Sequence, residues 1–348
     1  LFLCILWHKK HAKVGISIGP FSLARSVDAQ LGCAVARSAF LCCQNEQNMN
    51  LWGIDLGGTK IEGVVLESRE HPRVLARHRI PTEAQQGYAH ILDQVAALVQ
   101  ELSRMTGLRP ERLGLGHPGT LDPQTGVVKN ANTTALIGKP FDRDLEQRLG
   151  IPIRLSNDAN CFAVAEALLG AVPEVLPQAE VVFGVIMGTG VGGGIVVRGQ
   201  VIHGRQGIAG EWGHNFLDAE GGPCYCGKVG CVETLISGPA LERFYREKTG
   251  EERHLPDIAA RAEAGTNAAA AETIQRLIHY FGKAIAVVIN ILDPDAIVLG
   301  GGVGNIERLY SDGVAEAGKH LFNPRIDTVF LKPKLGDSAG VFGAALLF

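Results

Sequence analysis

One imidazole and three thiols stand close together late in the chain: His214, then Cys224 and Cys226 with a single residue between them, then Cys231. Four nitrogen and sulfur donors make the closed tetrahedral set of structural zinc, with no coordination position left open. Such an ion orders a loop and does not activate water. The competing reading is three reduced cysteines and a hydrogen-bonded histidine in a glycine-rich loop. The same stretch carries Glu211 and Glu233, carboxylates suited to accepting hydrogen bonds from hydroxyl groups.

Three glycine-rich turns offer a second chemistry. They are Asp55-Leu-Gly57-Gly58-Thr59-Lys60, the run Gly188-Thr189-Gly190 with further glycines to Gly194, and Gly300-Gly301-Gly302. Glycine permits positive φ and lets a phosphate approach the main chain, so such turns can aim N–H groups at an anion. A tight hairpin is the ordinary alternative for any one of them. Asp55 changes the weighing, because a carboxylate and the Thr59 hydroxyl beside a phosphate cradle are ligands that Mg²⁺ takes. Neither a Walker loop nor a G-x-G-x-x-G unit is present. Asp158, taken on its local sequence alone, reads as a helix N-cap.

The elements that must position these residues follow from periodicity. Leu51 to Leu66 is two β-rich runs joined by the first glycine turn, a hairpin. Ile91, Leu92, Val95, Leu98, Val99 and Leu102 recur at helical spacing, and a short strand begins at Leu113. Ile151 to Leu155 is a further strand, and Ser156-Asn157-Asp158 is a strand-to-helix junction, which puts Asn157 and Asp158 at the C-terminal edge of a sheet. Val181 to Met187, the turn through Gly194 and Ile195 to Val197 repeat the layout of residues 51–66. A long helix through Ile274 to Val288 precedes Ala296 to Leu299 and the third glycine run. Strands alternating with helices specify an α/β class.

The chain has 348 residues, enough for two domains with a cleft between them. A net charge of −3 lacks the basic excess that nucleic-acid or acidic-membrane binding needs. No apolar run approaches the ~20 residues of a membrane span. Eight cysteines invite a disulfide reading, but a chain with a real core needs no staples, and a reduced, cytoplasmic compartment fits better. Residues 1–48 lack a signal-peptide layout and clear periodicity, and they read as translated upstream sequence or a disordered extension before Met49.

Taken in order, the motifs Asp55-Leu-Gly-Gly-Thr59, Ser156-Asn-Asp-Ala-Asn160, Gly188-Thr-Gly190, Gly210-Glu-Trp-Gly-His214, Cys224 to Glu233 and Leu299-Gly-Gly-Gly302 resemble the ROK family of bacterial sugar kinases and repressors. The likeness runs from about Leu51 to the C-terminus. It implies an actin-like ATPase (ribonuclease H-like) α/β fold of two domains with the active site in the cleft between them. The small domain is expected over 49–169 plus 337–348 and the large domain, with the zinc motif, over 170–336. A homodimer is implied as well.

The resemblance also implies an ATP- and Mg²⁺-dependent hexose kinase with structural Zn²⁺ on His214, Cys224, Cys226 and Cys231. Asp158 is then the catalytic base, while Asn157, Glu211, His214 and Glu233 contact the sugar. Mg²⁺ would lie near Asp55, with Gly57, Gly58, Thr59, Lys60, Gly188, Thr189 and Gly190 on the phosphates and Gly300, Gly301 and Gly302 on the adenosine side. Val127 to Asn132, Pro223 to Lys228, Asn290 to Pro294 and Gly336 to Gly340 look most like the fructokinase and mannokinase branch, so fructose is the expected acceptor. An N-acetylglucosamine kinase or a glucokinase is the alternative. A ROK repressor would need a DNA-binding module in residues 1–48, where no helix-turn-helix pattern is found. His117 departs from the aliphatic residue common in Gly116-His-Pro-Gly119. It either alters the sugar pocket or packs as a neutral residue.

Overall fold

The computed structural model describes residues 49–348; the extension expected over 1–48 lies outside the described residues. The first hairpin forms as expected, with β1 (Leu51–Leu56) antiparallel to β2 (Lys60–Leu66), and β3 (Val74–Pro81) continues the meander. Helix α1 (Tyr88–Thr106) buries Ile91, Val95, Leu98, Val99 and Leu102, the stripe its periodicity specifies. It leads to β4 (Leu113–His117), to the small ribbon of β5 (Thr120–Leu121) and β6 (Val128–Lys129), to α2 (Phe141–Leu149), and to β7 (Ile153–Asn157). The five long strands form one sheet in the order β3-β2-β1-β4-β7, in which β4 and β7 run parallel to β1.

After α3 (Asp158–Leu168) the chain repeats this plan. Strands β8 (Val181–Met187), β9 (Val191–Val197) and β10 (Gln200–Val201) make a second meander. Helices α4 (Gly238–Thr249) and α5 (Ala268–Leu292) follow, then β11 (Ala296–Gly300) and β12 (Val329–Leu331), parallel to β8. The second sheet has the order β10-β9-β8-β11-β12, the topology of the first. The chain closes with α6 (Ala339–Ala345).

One part of the sequence reading changes here. Gly192, Gly193 and Gly194 belong to β9 and not to the turn, which spans only Gly188 to Gly190. The reason is packing: a Cβ on Gly194 would stand 2.7 Å from the Ala159 carbonyl oxygen of α3. Helix α3 lies against β8 and β9, while α6 lies against β1, β4 and α3. Phe162, Ala163, Val182, Val196, Val298, Val341 and Leu346 join in one core that touches both sheets. The helix pair approaches backbone to backbone, because a Cβ on Gly343 would fall 1.8 Å from the carbonyl oxygen of Cys161. Separate cores cover the outer faces, one under α1 and α2 and one under α5. Among the described residues no helix is long and apolar enough to cross a membrane.

Candidate active site

The C-terminal ends of β1, β4 and β7 bring the first group of side chains together. In the sheet register Asp55 stands beside Gly116, Gly116 beside Ser156, and His117 beside Asn157. Asn157 ends β7 and caps α3, its Oδ1 accepting from the Asn160 amide at 2.8 Å. The N-cap expected at Asp158 is therefore Asn157, because the helix begins one residue earlier than the local pattern indicates. Asp158 becomes the first helical residue, with Oδ1 accepting from the Ala159 amide at 2.8 Å. The Asn157 amide nitrogen remains for a ligand, and the Asp158 side chain is open to solvent.

Two glycine turns flank this edge. In each, the first glycine closes the turn itself: Gly57 N–H donates to the Lys60 carbonyl and Gly188 N–H to that of Gly190, both at 2.9 Å. Those two amides are engaged inside the turn, contrary to the expectation that they face a phosphate, and Gly58, Thr59, Lys60 and Thr189 form the exposed tips. Thr82 braces the first turn, its Oγ1 donating to the Gly57 carbonyl at 2.6 Å. The third run joins the second turn, since Gly300 pairs with Ile186, and Gly301, at φ 78°, lies so near Met187 that any Cβ would clash with its carbonyl. Gly301 and Gly302 remain exposed beside the second turn.

Glu233 links this second turn to the zinc-type loop. Its Oε2 accepts from the Val191 amide at 2.9 Å, and a side chain on Gly190 would collide with it. Glu211 precedes the 3₁₀ turn Trp212–His214, which is anchored by the buried Trp212 indole donating to the Gly192 carbonyl at 2.9 Å. Burial holds the Glu211 carboxyl above the usual range; nearby His214 opposes this, and Asp158 and Glu233 add to it. Asp158 is raised too: its carboxyl is open on one side but surrounded by protein on the others, and this burial disfavours its charge, although hydrogen bonds from backbone amides oppose the shift. Asp55 is pushed up to about 6, by burial first and then by Asp158 and Glu62, against Lys60 and Arg79.

Asp55, Asp158, Glu211 and Glu233 thus form a run of carboxylates between the two turns, in which Asp158 disfavours the charge of Asp55 and of Glu211, and Glu233 that of Glu211. Such a site calls for a cation, and Asp55 beside the first turn offers the oxygen donors that Mg²⁺ takes. The linkage has a measurable sign. An unfolded Asp55 ionises near its ordinary value while the folded one holds its proton to about pH 6, so stability falls as pH rises through that window. In urea titrations without Mg²⁺ or nucleotide, the advantage of Asp55→Asn over the natural protein should widen by about 1 kcal/mol between pH 5 and 7. A constant gap would remove the argument.

His214, Cys224, Cys226 and Cys231 converge, with one ligand atom from each lying within 4.8 Å of the others. The Cys226 and Cys231 sulfurs are 3.6 Å apart, as are Cys224 Sγ and His214 Nδ1. A tetrahedral site with arms of about 2.3 Å has edges of about 3.7 Å, so the cluster has the dimensions of a zinc cage. Burial and the neighbouring thiols push Cys231 up to about 12, the crowding that a bound cation relieves. His214 Nε2 turns the other way, to the Tyr225 hydroxyl at 2.9 Å.

His117 is resolved as a packed residue. It is buried against Phe141, with Nδ1 at 2.9 Å from the Pro118 carbonyl, and burial lowers it to about 4, so it is neutral. Three neighbours escaped the sequence reading. Glu62 is buried opposite Asp55 and holds Arg77 and Arg79; the hairpin register alone would have placed it there. Cys161 is buried against Gly116, and Tyr225 is exposed at the mouth of the cysteine loop. Neither has a spacing signal of its own.

Comparison with known proteins identifies the family and the fold. The sequence profile of the ROK family matches residues 51–348. The N-acetyl-D-glucosamine kinase of Aliivibrio fischeri is 37% identical over 311 residues, 85% of this chain and 98% of that protein. A ROK hexokinase from Thermus thermophilus superposes with a TM-score of 0.76 at 34% identity, covering 86% of this chain and 97% of that one. A ROK family glucokinase from Streptomyces griseus, solved with glucose and AMPPNP, gives 0.67 at 29%, with 85% and 98% covered.

Proposed function

We propose that this chain, which belongs to the ROK family and is an ATP-dependent sugar kinase of actin-like fold, phosphorylates N-acetylglucosamine. The observation that carries the acceptor is identity of 37% to an N-acetyl-D-glucosamine kinase along nearly that protein's whole length. Fructose, expected from four short motif likenesses, gives way. Three of those motifs build scaffold: Pro223 to Lys228 is the cysteine knuckle, Asn290 to Pro294 ends α5, and Gly336 to Gly340 leads into α6.

In this reading the sugar lies against Asn157, Glu211, His214 and Glu233, and Asp158 receives the proton of the primary hydroxyl as it attacks the ATP γ-phosphate. Only Asp158 among the four carboxylates is both open to solvent and set on a helix N-terminus, where its anion is favoured once substrate is seated. Mg²⁺ held near Asp55 would supply charge neutralisation for the phosphates. Gly58, Thr59, Lys60, Thr189 and Gly190 would line those phosphates, with Gly57 and Gly188 shaping the turns and Gly300, Gly301 and Gly302 on the adenosine side. Residues 49–169 with 337–348, and 170–336, would act as the two halves that close over the substrates.

The test is ADP release with a panel of N-acetylglucosamine, glucose, fructose, mannose and N-acetylmannosamine. N-acetylglucosamine should give the highest kcat/KM; a lead for fructose restores the earlier branch assignment, and no stimulation by any sugar removes the kinase reading. A homodimer is also proposed, since Ile291 and Phe322 expose 75% and 97% of their surface where a second copy would cover them. A monomer in sedimentation velocity at working concentration would rule that out.

A further inference from the structure

Most arginines of this protein face a carboxylate, as Arg73 does Glu67, Arg148 does Asp93 and Arg308 does Asp312. Arg69, Arg112 and Arg154 gather around residues 346–348 instead, and none of them has an acidic partner among the described residues. Arg69 donates to the carbonyls of Leu346 and Phe348, and Arg154 to that of Leu347 at 2.7 Å. Arg112 and Arg154 lie over the Phe348 ring at 5.2 and 4.4 Å, and Arg112 Nε is buried with no acceptor. A guanidinium carries five donors, so these bonds leave most of them unused.

A cavity of about 270 Å³ opens beside the cluster, lined by Arg69, Arg154, Gln200, His203, Val164 and the 346–348 segment, with no acidic side chain. Burial and Arg112 pull Arg69 below its ordinary range, and burial with Arg154 does the same to His203. The cations are therefore partly desolvated on their inner sides, and Arg112 works against the charge of Arg69 as Arg154 does against that of His203.

We propose that this cavity is a second ligand site, separate from the catalytic cleft, that binds a phosphomonoester. A dianionic phosphate matches the two guanidinium charges that line the cavity and the forked donors of Arg69 and Arg154. The volume left over is walled by Val164, Leu346, the Phe348 ring and the Gln200 amide, which suits a small polar body such as a sugar. Arg69 and Arg154 belong to the side of the first sheet, Gln200 and His203 to the second, so a bound phosphomonoester would tie the two halves together. The site rests on this geometry alone; only the sugar phosphate used as a probe rests on the proposed function.

The test is calorimetric titration of the full chain, its cleft filled with sugar, Mg²⁺ and a non-hydrolysable ATP analogue, using inorganic phosphate and N-acetylglucosamine 6-phosphate. Saturable binding of one equivalent is expected, kept by Asp158→Asn and weakened at least about tenfold by Arg154→Gln, the scale of a lost charge-assisted pair. Gln200→Glu, an exposed change, should weaken it likewise and serves if Arg154→Gln does not fold. Equal affinity for both probes means that phosphate alone is read; preference for the sugar phosphate means that the walls contribute. Absence of saturable binding by either probe, or binding untouched by both cavity variants, overturns the proposal. A chain that binds phosphate here yet phosphorylates no sugar would keep the site and lose only the kinase reading.

Discussion

Asp158→Asn should lower kcat by about 10²–10⁴-fold, the usual share of a general base, while the KM values for sugar and ATP stay within a few-fold. The substitution is nearly isosteric, and an asparagine oxygen can still accept from the Ala159 amide, so the start of α3 is kept. It also removes one of the charges that raises Asp55 and Glu211. The folded variant should accordingly be as stable as the natural protein or more so, which separates lost chemistry from lost structure. A pH profile sharpens the result. Asp158 must be ionised to take a proton and its carboxyl is held above the usual range, so kcat/KM should fall as pH drops through that raised value, and the residual activity of the variant should not. If Asp158→Asn retained a tenth of the rate or more, the base would have to be sought elsewhere, with Glu211 the nearest candidate.

Cys226→Ser should abolish zinc binding and cost more than about tenfold in kcat/KM. Cys226 is the informative choice because it is exposed, whereas Cys231 and Cys224 are buried and their replacement would mix metal loss with packing loss. A structural zinc contributes folding free energy directly, on the order of 10 kcal/mol in small peptides, and here that energy would hold a loop of few regular elements. Loss of the ion frees His214 on one side and Cys231 on the other. Glu211 stands three residues before the first and Glu233 two residues after the second, so both carboxylates lose their anchor together. Metal analysis finding one zinc per natural chain and none in the variant is the expected result. Full activity in a zinc-free variant would reduce the cluster to reduced cysteines.

Much of this was legible before any coordinates. The duplicated hairpin, the strand-to-helix junction and the cysteine spacing are local patterns, and each forms within a few residues of where the sequence puts it. Long-range effects stayed hidden. Glycines 193 and 194 look like turn residues because their real causes are distant in sequence: Phe183 and Gly210 crowd the first, and α3, some thirty residues earlier, crowds the second. His117 could not be placed because its burial depends on Phe141. Fructose as acceptor rested largely on motifs that lie in scaffold, where resemblance reports folding constraints and says little about the ligand, and identity along the whole chain supports the N-acetylglucosamine alternative better.

The contact of Gly343 with Cys161 has a mechanical consequence. Side chains that interlock must change rotamer before two helices can move past each other, and that resists sliding. At this crossing α6 brings no side chain to α3, so the contact itself has little to catch on, and the flanking Phe162, Val341 and Leu346 are what must re-pack. Such a seam works as a bearing: small translations along it are cheap, separation is costly because the surrounding core is apolar, and the motion it favours is shear.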